Sequence, residues 1–247
     1  MLDRDVAPGV HRLEHAHVNC YLVESETGAL TVVDAGLPTL WPLLGRAIRE
    51  IGHRPSDVAA VVLTHAHFDH LGVVWRLQAR GVPVWVHAAD RGLAGHPYRY
   101  AHENVRSVYP VRHPRSVPIL ARMVAAGALR VRGVTGLRSM ADGDVLDVPG
   151  SPRVLLTPGH TDGHCALHLP DRDAVLTGDA LVTLDPYTGQ RGPRIVAGAA
   201  TADSSAALDA LDLLVETRAG TALPGHGLPW FEGLGPAVTA ARDAGPS

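Results

Sequence analysis

The sequence predicts an α/β fold in which helices lie against β-sheet. Two patterns point to it. From His17 to Asp90, short apolar or alternating runs give way in turn to runs whose apolar residues recur at helical spacing. Beyond about residue 130 the chain is strand-rich and then helical a second time, which suggests two halves of similar architecture, although no sequence repeat relates them. A length of 247 residues leaves ample chain for a buried core, in one large domain or two small ones.

In order along the chain, "HVNCYLVE", the turn "SETG" and "ALTVVDAG" read as a β-hairpin of period two with a glycine at its turn. "TLWPLLGRAIREIG" sets Leu40, Leu43, Leu44, Ala47, Ile48 and Ile51 at helical spacing and closes on Gly52. "SDVAAVVLT" is short and nearly all apolar, as expected of a strand covered on both faces. "LGVVWRLQARG" is helical again, and "VPVWVHAAD" is a strand. Between about residues 91 and 130 the pattern breaks. Tyr98, Tyr100 and Tyr109, four prolines and the amphipathic "SVPILARMVAAGA" suggest a helical insertion lying over the domain. Four strand-like runs follow, "LRSMADGDVLDV", "PRVLLTPG", "HCALHLP" and "AVLTGDALV", parted by turn residues. "TADSSAALDALDLLVETRAG" is a helix with Ala206, Leu208, Leu211, Leu214 and Val215 expected inward. The strand "TALPG" and a last short helix from about Leu234 complete the chain.

Composition narrows the function classes. With 46% hydrophobic and 19% charged residues the chain reads as globular rather than disordered. A net charge of -3 gives no electrostatic reason to expect nucleic acid. All 22 basic residues are Arg. The start, "MLDRDVAPGV", lacks the basic and apolar regions of an export signal, and no run is long enough to span a bilayer, so the expectation is a cytoplasmic protein without a membrane partner. Cys20 and Cys165 are too few for a disulfide framework and read as small buried apolar residues.

The chemistry concentrates in "VVLTHAHFDHLG". Two residues apart on extended chain, His65 and His67 point to one side and can share an ion. Asp69 and His70 follow as the chain turns toward a helix near Leu71, so they project from another edge and a second ion nearby is natural. Three more ligand types each follow a short apolar strand: His160 in "LLTPGH", Asp179 in "VLTGDAL" and His226 in "ALPGHG". Strand ends at one sheet edge form the crevice in which distant residues converge. Gly159, Gly178 and Gly225 precede these ligands and would let the backbone turn sharply. Imidazoles and carboxylates suit Zn²⁺, Fe²⁺ or Mn²⁺.

"THAHFDH", "TPGHTDGH", "TGDA" and "PGHG" in this order resemble the metallo-β-lactamase fold superfamily, over nearly the whole chain. The resemblance implies a four-layer αββα sandwich, one domain over 1–247 with the 91–130 insertion as a helical cap, and two divalent metal ions, zinc first, with iron or manganese as alternatives. It assigns His65, His67 and His160 to one metal, Asp69, His70 and His226 to the other, and Asp179 as the bridge. Two metals about 3.5 to 4 Å apart can share a water and bring its pKa toward about 7, and Asp69 is the candidate to orient that hydroxide and carry its proton. Asp34 matches a position that braces the histidine loop. His164, four residues past His160, more readily fixes the loop than binds metal, and the second HxH, His15 and His17, has no ligand cluster with it.

The enzymes of this superfamily that open β-lactams generally lack the bridging Asp, so the chain is more similar to glyoxalase II, lactonase and thioesterase-like members. The expected activity is hydrolysis of a thioester, ester or lactone, with a small molecule as the only partner; the oligomeric state stays open, a homodimer included. Only Gly227–Ser247 follows His226, without room for the carboxy-terminal helical domain that carries much of the glutathione site in glyoxalase II. Leu181, Val182 and Thr183 stand where familiar lactonases place a Tyr, with Tyr187 the nearest substitute, and Arg191 and Arg194 are candidates for an anionic substrate group. Two other classes compete: a mononuclear iron enzyme resembling persulfide dioxygenases, and a non-catalytic metal-binding protein.

Overall fold

The computed structural model describes Met1–Ser247. A seven-stranded sheet is built from β1 (Leu2–Ala7), β2 (Val10–His15), β3 (Val18–Glu24), β4 (Leu30–Val33), β5 (Val58–Val62), β6 (Val84–His87) and β7 (Arg138–Met140), lying in sequence order. Its first four strands are antiparallel neighbours, and from β4 to β7 the pairing is parallel. Parallel neighbours need crossovers, and these are helical. α1 (Trp41–Glu50) joins β4 to β5, and the short helices α2 (Phe68–Leu71) and α3 (Val74–Gln78) join β5 to β6. The insertion between β6 and β7 carries α4 (Arg91–Gly95), α5 (Tyr109–Arg112) and α6 (Ser116–Ala125).

A second sheet of β8 (Arg153–Leu156), β9 (Cys165–Leu169), β10 (Ala174–Gly178) and β13 (Thr221–Pro224) runs in the order β13-β10-β9-β8. β11 (Val182–Leu184) and β12 (Arg191–Arg194) form a separate two-stranded ribbon. α7 (Ser204–Glu216) and α8 (Leu234–Ala244) cover the second sheet.

Strand period dictates the layering. In β5, Val61 packs toward the helices while Ala60 and Val62 pack toward the second sheet; in β3, Cys20 and Leu22 take the first side, Tyr21 and Val23 the other. In β9, Cys165, Leu167 and Leu169 meet the first sheet, and Ala166 faces α7 and α8. Three cores therefore separate four layers, an αββα sandwich. Each leucine buried in them contributes about 1.5–3 kcal/mol.

Several expectations change in detail. The opening hairpin β1–β2 went unread, although Pro8-Gly9 is a turn signal. Of "LRSMADGDVLDV" only Arg138–Met140 is a strand, and it extends the first sheet beside β6. An Asp144 carboxylate accepting from Ala141 N–H at 2.8 Å turns the chain away, leaving a single bridge between Val145 and Arg153. The two sheets are thus unequal. α7 buries Ala207, Ala210, Leu211 and Leu214, so Ala206 and Leu208 lie at the margin and Val215 is exposed. Within the insertion, Ile119 and Met123 of α6 enter the core shared with α1 and α3. Cys20 and Cys165 are free thiols with no solvent exposure, and burial pushes the Cys165 thiol up to about 12. No helix is long and apolar enough to cross a membrane.

Candidate metal centre

All seven proposed ligands sit on the loops that follow strands at one edge of the two sheets. After β5, the chain stays extended through His67, which is the N-cap of α2 with φ -67° and ψ 156°. Asp69 and His70 lie within that single helical turn rather than ahead of a helix at Leu71. His160 follows β8, Asp179 follows β10 directly, and His226 follows β13. The preceding glycines have different reasons. Gly159 has φ +125°, and a Cβ there would meet the Ala207 nitrogen at 2.2 Å. Gly225 has no left-handed backbone; a Cβ on it would stand 2.2 Å from Asp179 Oδ1, inside the site.

Three groups of donor atoms, each within 4.8 Å of one another, result: His65, His67 and His160; His65, His70 and Asp179; and Asp69, His70 and His226. Asp179 lies at the centre. Its Oδ2 is 3.3 Å from His226 Nε2, 3.4 Å from His160 Nε2 and 4.0 Å from His65 Nε2, and its Oδ1 is 3.6 Å from His70 Nε2. Asp69 Oδ2 is 3.4 Å from His226 Nε2. All seven side chains are buried.

Neighbouring groups hold the rings of His65, His70, His160 and His226 so that Nε2 faces inward. Asp34 accepts from Thr64 N–H at 2.9 Å and from the Thr64 hydroxyl at 2.8 Å, which leaves that oxygen to accept from His65 Nδ1 at 3.1 Å. The same Asp34 carboxylate lies 2.9 Å from His70 Nδ1. Asp34 is a non-glycine residue at φ +56°, a cost of order 1–3 kcal/mol. Thr201 gives its proton to the Val196 carbonyl and receives His160 Nδ1 at 3.2 Å. His226 Nδ1 donates to the His17 carbonyl at 2.7 Å, so the second HxH contributes through its backbone. His164 binds Thr157 Oγ1 at 2.8 Å and accepts the Asp179 N–H at 3.0 Å, which places it behind the bridging carboxylate.

One organising residue escaped the sequence reading. Buried Asp90, just after β6, accepts from Ala66 N–H, Gly163 N–H and the Thr161 hydroxyl, each at 2.9 Å. It ties the "HAHFDH" loop to the "TPGHTDGH" loop. "HAAD" carried no signal beyond an acidic residue at a strand end.

A metal fits these donors. The Nε2 atoms of His65, His67, His70 and His160 and Oδ1 of Asp179 are buried polar atoms with no hydrogen-bond partner in the protein, an arrangement that is costly unless an ion or solvent satisfies them. Burial and neighbouring imidazoles hold His65 and His67 well below the usual histidine pKa, and burial lowers His160 to about 4, so these three are neutral, the ligand form. Burial opposes the charged form of His70 and His226 too. Asp34 and Asp179 nevertheless raise His70 well above its ordinary value, and Asp179 with Asp69 raises His226 to about 10. These carboxylates favour positive charge among them, a proton or a metal alike.

The predicted substrate residues divide. Tyr187 reaches the site: its hydroxyl is 3.3 Å from that of Tyr100, whose ring centroid lies 4.0 Å from that of His67. Tyr100, from the insertion, is braced by Arg106, with its guanidinium carbon 3.9 Å from the ring centroid. Arg194 is turned onto its own hairpin, donating to the Gly192 and Arg191 carbonyls and to Gln190. Arg191 is exposed at the start of β12 and makes no ion pair.

Comparison with known proteins gives the family of the chain. The family model for the metallo-beta-lactamase superfamily matches residues 14–226. The chain is 25% identical over 184 residues to the probable metallo-hydrolase YflN of Bacillus subtilis, covering 73% of this chain and 67% of that protein. It is 31% identical over 222 residues, 85% of each chain, to the uncharacterized protein Rv2581c of Mycobacterium tuberculosis. A hydroxyacylglutathione hydrolase of Cereibacter sphaeroides is 28% identical over 162 residues, 65% of this chain but 46% of that protein. Among solved structures, the metallo-beta-lactamase family protein TTHA1429 of Thermus thermophilus superposes with a TM-score of 0.69 at 27% identity, over 96% of this chain and 78% of that one. TTHA1623, solved in a di-iron-bound form, gives 0.64 at 26% identity, over 93% and 96%. The chain belongs to the metallo-β-lactamase superfamily.

Proposed function

We propose that the protein is a dinuclear metal-dependent hydrolase of a thioester, ester or lactone. One observation carries the reading: two trios of buried donors flank a single carboxylate, Asp179, that reaches both. In this assignment His65, His67 and His160 hold one ion, Asp69, His70 and His226 hold the other, and Asp179 bridges. The donor set suits zinc, iron or manganese, and the di-iron form of TTHA1623 supports keeping iron beside zinc. When bound, a pair of such ions supplies an activated water at neutral pH and polarises the carbonyl to be attacked.

The chain's own residues do the rest. Asp69 is placed to orient the attacking water through one oxygen and to carry its proton toward the leaving group. Tyr187 and Tyr100 offer hydroxyl donors at the wall of the site, for an oxygen that gains charge as the acyl carbon becomes tetrahedral. Asp34, Thr64, Thr201 and the His17 carbonyl keep the imidazoles of His65, His70, His160 and His226 in the tautomer that leaves Nε2 free.

Likeness to a hydroxyacylglutathione hydrolase supports a thioester among the candidate substrates. That match spans less than half of the relative, so the thiol portion is left unassigned. The test is a panel of thioesters, aryl esters and lactones turned over by protein of measured metal content. Hydrolysis that rises with the second metal supports the reading. A mononuclear iron dioxygenase would need only two histidines and one carboxylate, which His65, His160 and Asp179 could supply; the buried trio Asp69, His70 and His226 would then have no task. One iron per chain with oxygen uptake on a persulfide would overturn the hydrolase.

A further inference from the structure

The alternation of β3 sets Asn19 on the same face as Tyr21 and Val23, which belong to the apolar core between the two sheets. Asn19 has no solvent exposure. A buried amide needs partners for its polar atoms, and Asn19 finds them on the loop that carries His226. Its side-chain NH₂ donates to the Pro224 carbonyl at 2.7 Å and to the Gly227 carbonyl at 2.9 Å, and its backbone N–H donates to the Gly225 carbonyl at 2.8 Å. The Tyr21 oxygen is a longer contact of the same amide at 3.4 Å, and the Tyr21 hydroxyl itself donates to the Pro224 carbonyl at 2.7 Å. The remaining carbonyl of this loop, that of His226, accepts from Thr183 N–H at 3.1 Å. Every carbonyl from Pro224 to Gly227 is therefore held, and Asn19 holds all but that of His226.

Arg12 decides which way round the amide lies. Its Nε donates to Asn19 Oδ1 at 2.9 Å, and its guanidinium pairs with Asp3. A guanidinium offers donors only and a carbonyl acceptors only, so Asn19 satisfies both sides with its oxygen toward Arg12 and its nitrogen toward the loop, and not the reverse. Arg12 is the only buried arginine of the chain. Burying a guanidinium is costly, and an apolar residue in such a place is often as stabilising or more so. Orienting Asn19 is a task that an apolar side chain could not perform.

The same hairpin meets His226 a second time. Its two-residue turn, Ala16 and His17, has both residues in the left-handed region, at φ +53° and +67°, where asparagine and glycine are the usual occupants. The His17 carbonyl in that turn accepts from His226 Nδ1 at 2.7 Å. β2 and β3 thus hold the His226 loop by its backbone and by the ring. Neither Asn19 nor Arg12 makes a hydrogen bond to the loops that carry His65, His67 and His160.

We propose that Asn19, oriented by Arg12, is the positioning residue for His226 and through it sets the affinity of the second metal, the one assigned to Asp69, His70 and His226, without setting that of the first. The metal half of this proposal rests on the dinuclear reading, and the placement of His226 does not.

The test compares Asn19→Asp and Arg12→Met with a control, Cys20→Ala, which truncates a buried neighbour on the other face of β3. Asn19→Asp sets a carboxylate oxygen against the Pro224 and Gly227 carbonyls, and Arg12→Met frees the amide to turn over. Chelator competition on zinc-loaded protein should show the second metal weakened about 10–100-fold in Asn19→Asp and less in Arg12→Met, with the first metal unmoved in both and neither metal moved in Cys20→Ala. In NMR spectra of metal-free protein with isotope-labelled histidine, the His226 Nδ1 signal, assigned by its absence in His226→Gln, should be single in the parent and in Cys20→Ala and shifted or split in the other two variants. Should Asn19→Asp fail to fold, Arg12→Met decides alone. The proposal is overturned if both metals weaken alike, if the second metal keeps its affinity, if the His226 signal is unchanged in the variants, or if Cys20→Ala reproduces their pattern. A parent protein that takes up a single metal would instead defeat the dinuclear reading, and the His226 signal then decides the positioning role.

Discussion

Asp90→Ala removes the one carboxylate that holds both histidine loops together. Three donors lose their acceptor, two of them the backbone N–H groups of Ala66 and Gly163, in a buried setting where each orphaned donor costs about 1–3 kcal/mol. Part of this is offset, because burial raises the Asp90 pKa and the ionised carboxylate is itself costly to keep there. The Thr161 hydroxyl can also rotate toward another acceptor. The expected net loss is about 2–4 kcal/mol of unfolding free energy. Asp90→Asn keeps an acceptor for some of the donors but sets an amide NH₂ against another, so it should fall between parent and alanine. Because Ala66 lies between His65 and His67, and Gly163 and Thr161 follow His160, metal affinity should drop as well, by about 10–100-fold, the scale on which groups that orient ligands act. Urea unfolding of metal-free protein measures the first effect and chelator competition the second. An Asp90→Ala protein within about 0.5 kcal/mol of the parent, with an unchanged chelator curve, would refute the reasoning.

Asp179→Ala should reduce the metal content from two per chain toward one and abolish hydrolysis; elemental analysis still showing two metals would exclude a bridging role. His164→Ala strips the Asp179 N–H and the Thr157 hydroxyl of their partner and should cost about 2–4 kcal/mol in urea unfolding with two metals retained. The metal-free protein should lose stability with rising pH. His226 has its folded pKa raised to about 10 by Asp179 and Asp69, so its contribution is complete below the unfolded value of about 6.5 and is lost as pH climbs through 10. In acid the sign reverses for His160: its pKa of about 4 means the unfolded chain takes up the proton first, and stability falls as pH drops below about 6.5. Urea midpoints of chelator-treated protein from pH 4 to 10 should trace both slopes, and a flat profile would contradict the assignment.

How much of this was legible in the sequence follows from how local each signal is. Apolar runs such as Val58–Val62 announce a strand covered on both faces, which the structure bears out at every position but the exposed Ala59. The candidate ligands were legible because metal chemistry restricts residue type at strand ends, whatever lies between them. Asp34 and His164 were found through the loops they belong to. Asp90 was not, since a carboxylate that accepts from backbone groups of two other loops has no periodic or spacing signature. β12 hid for a similar reason: "RGPR" has neither alternation nor apolar content and exists as a strand only through its pairing with β11. The α7 face was misjudged at Ala206 and Val215 because an apolar helix carries more candidate inward positions than the second sheet can cover. Arg194 looked free in sequence but closes onto its own hairpin, while Tyr100, from the Tyr-rich insertion, sets its ring centroid 4.0 Å from that of His67 at an interplanar tilt of 41°.

The central claim is that two metals, shared by Asp179, power a hydrolytic site. Elemental analysis of the protein as purified, carried out alongside turnover of the thioester, ester and lactone panel on the same sample, tests it most directly. The account predicts two divalent ions per chain and hydrolysis of at least one substrate class, with both lost together in Asp179→Ala. A single iron with oxygen consumption, or two metals with no hydrolysis of any activated acyl substrate, would contradict it.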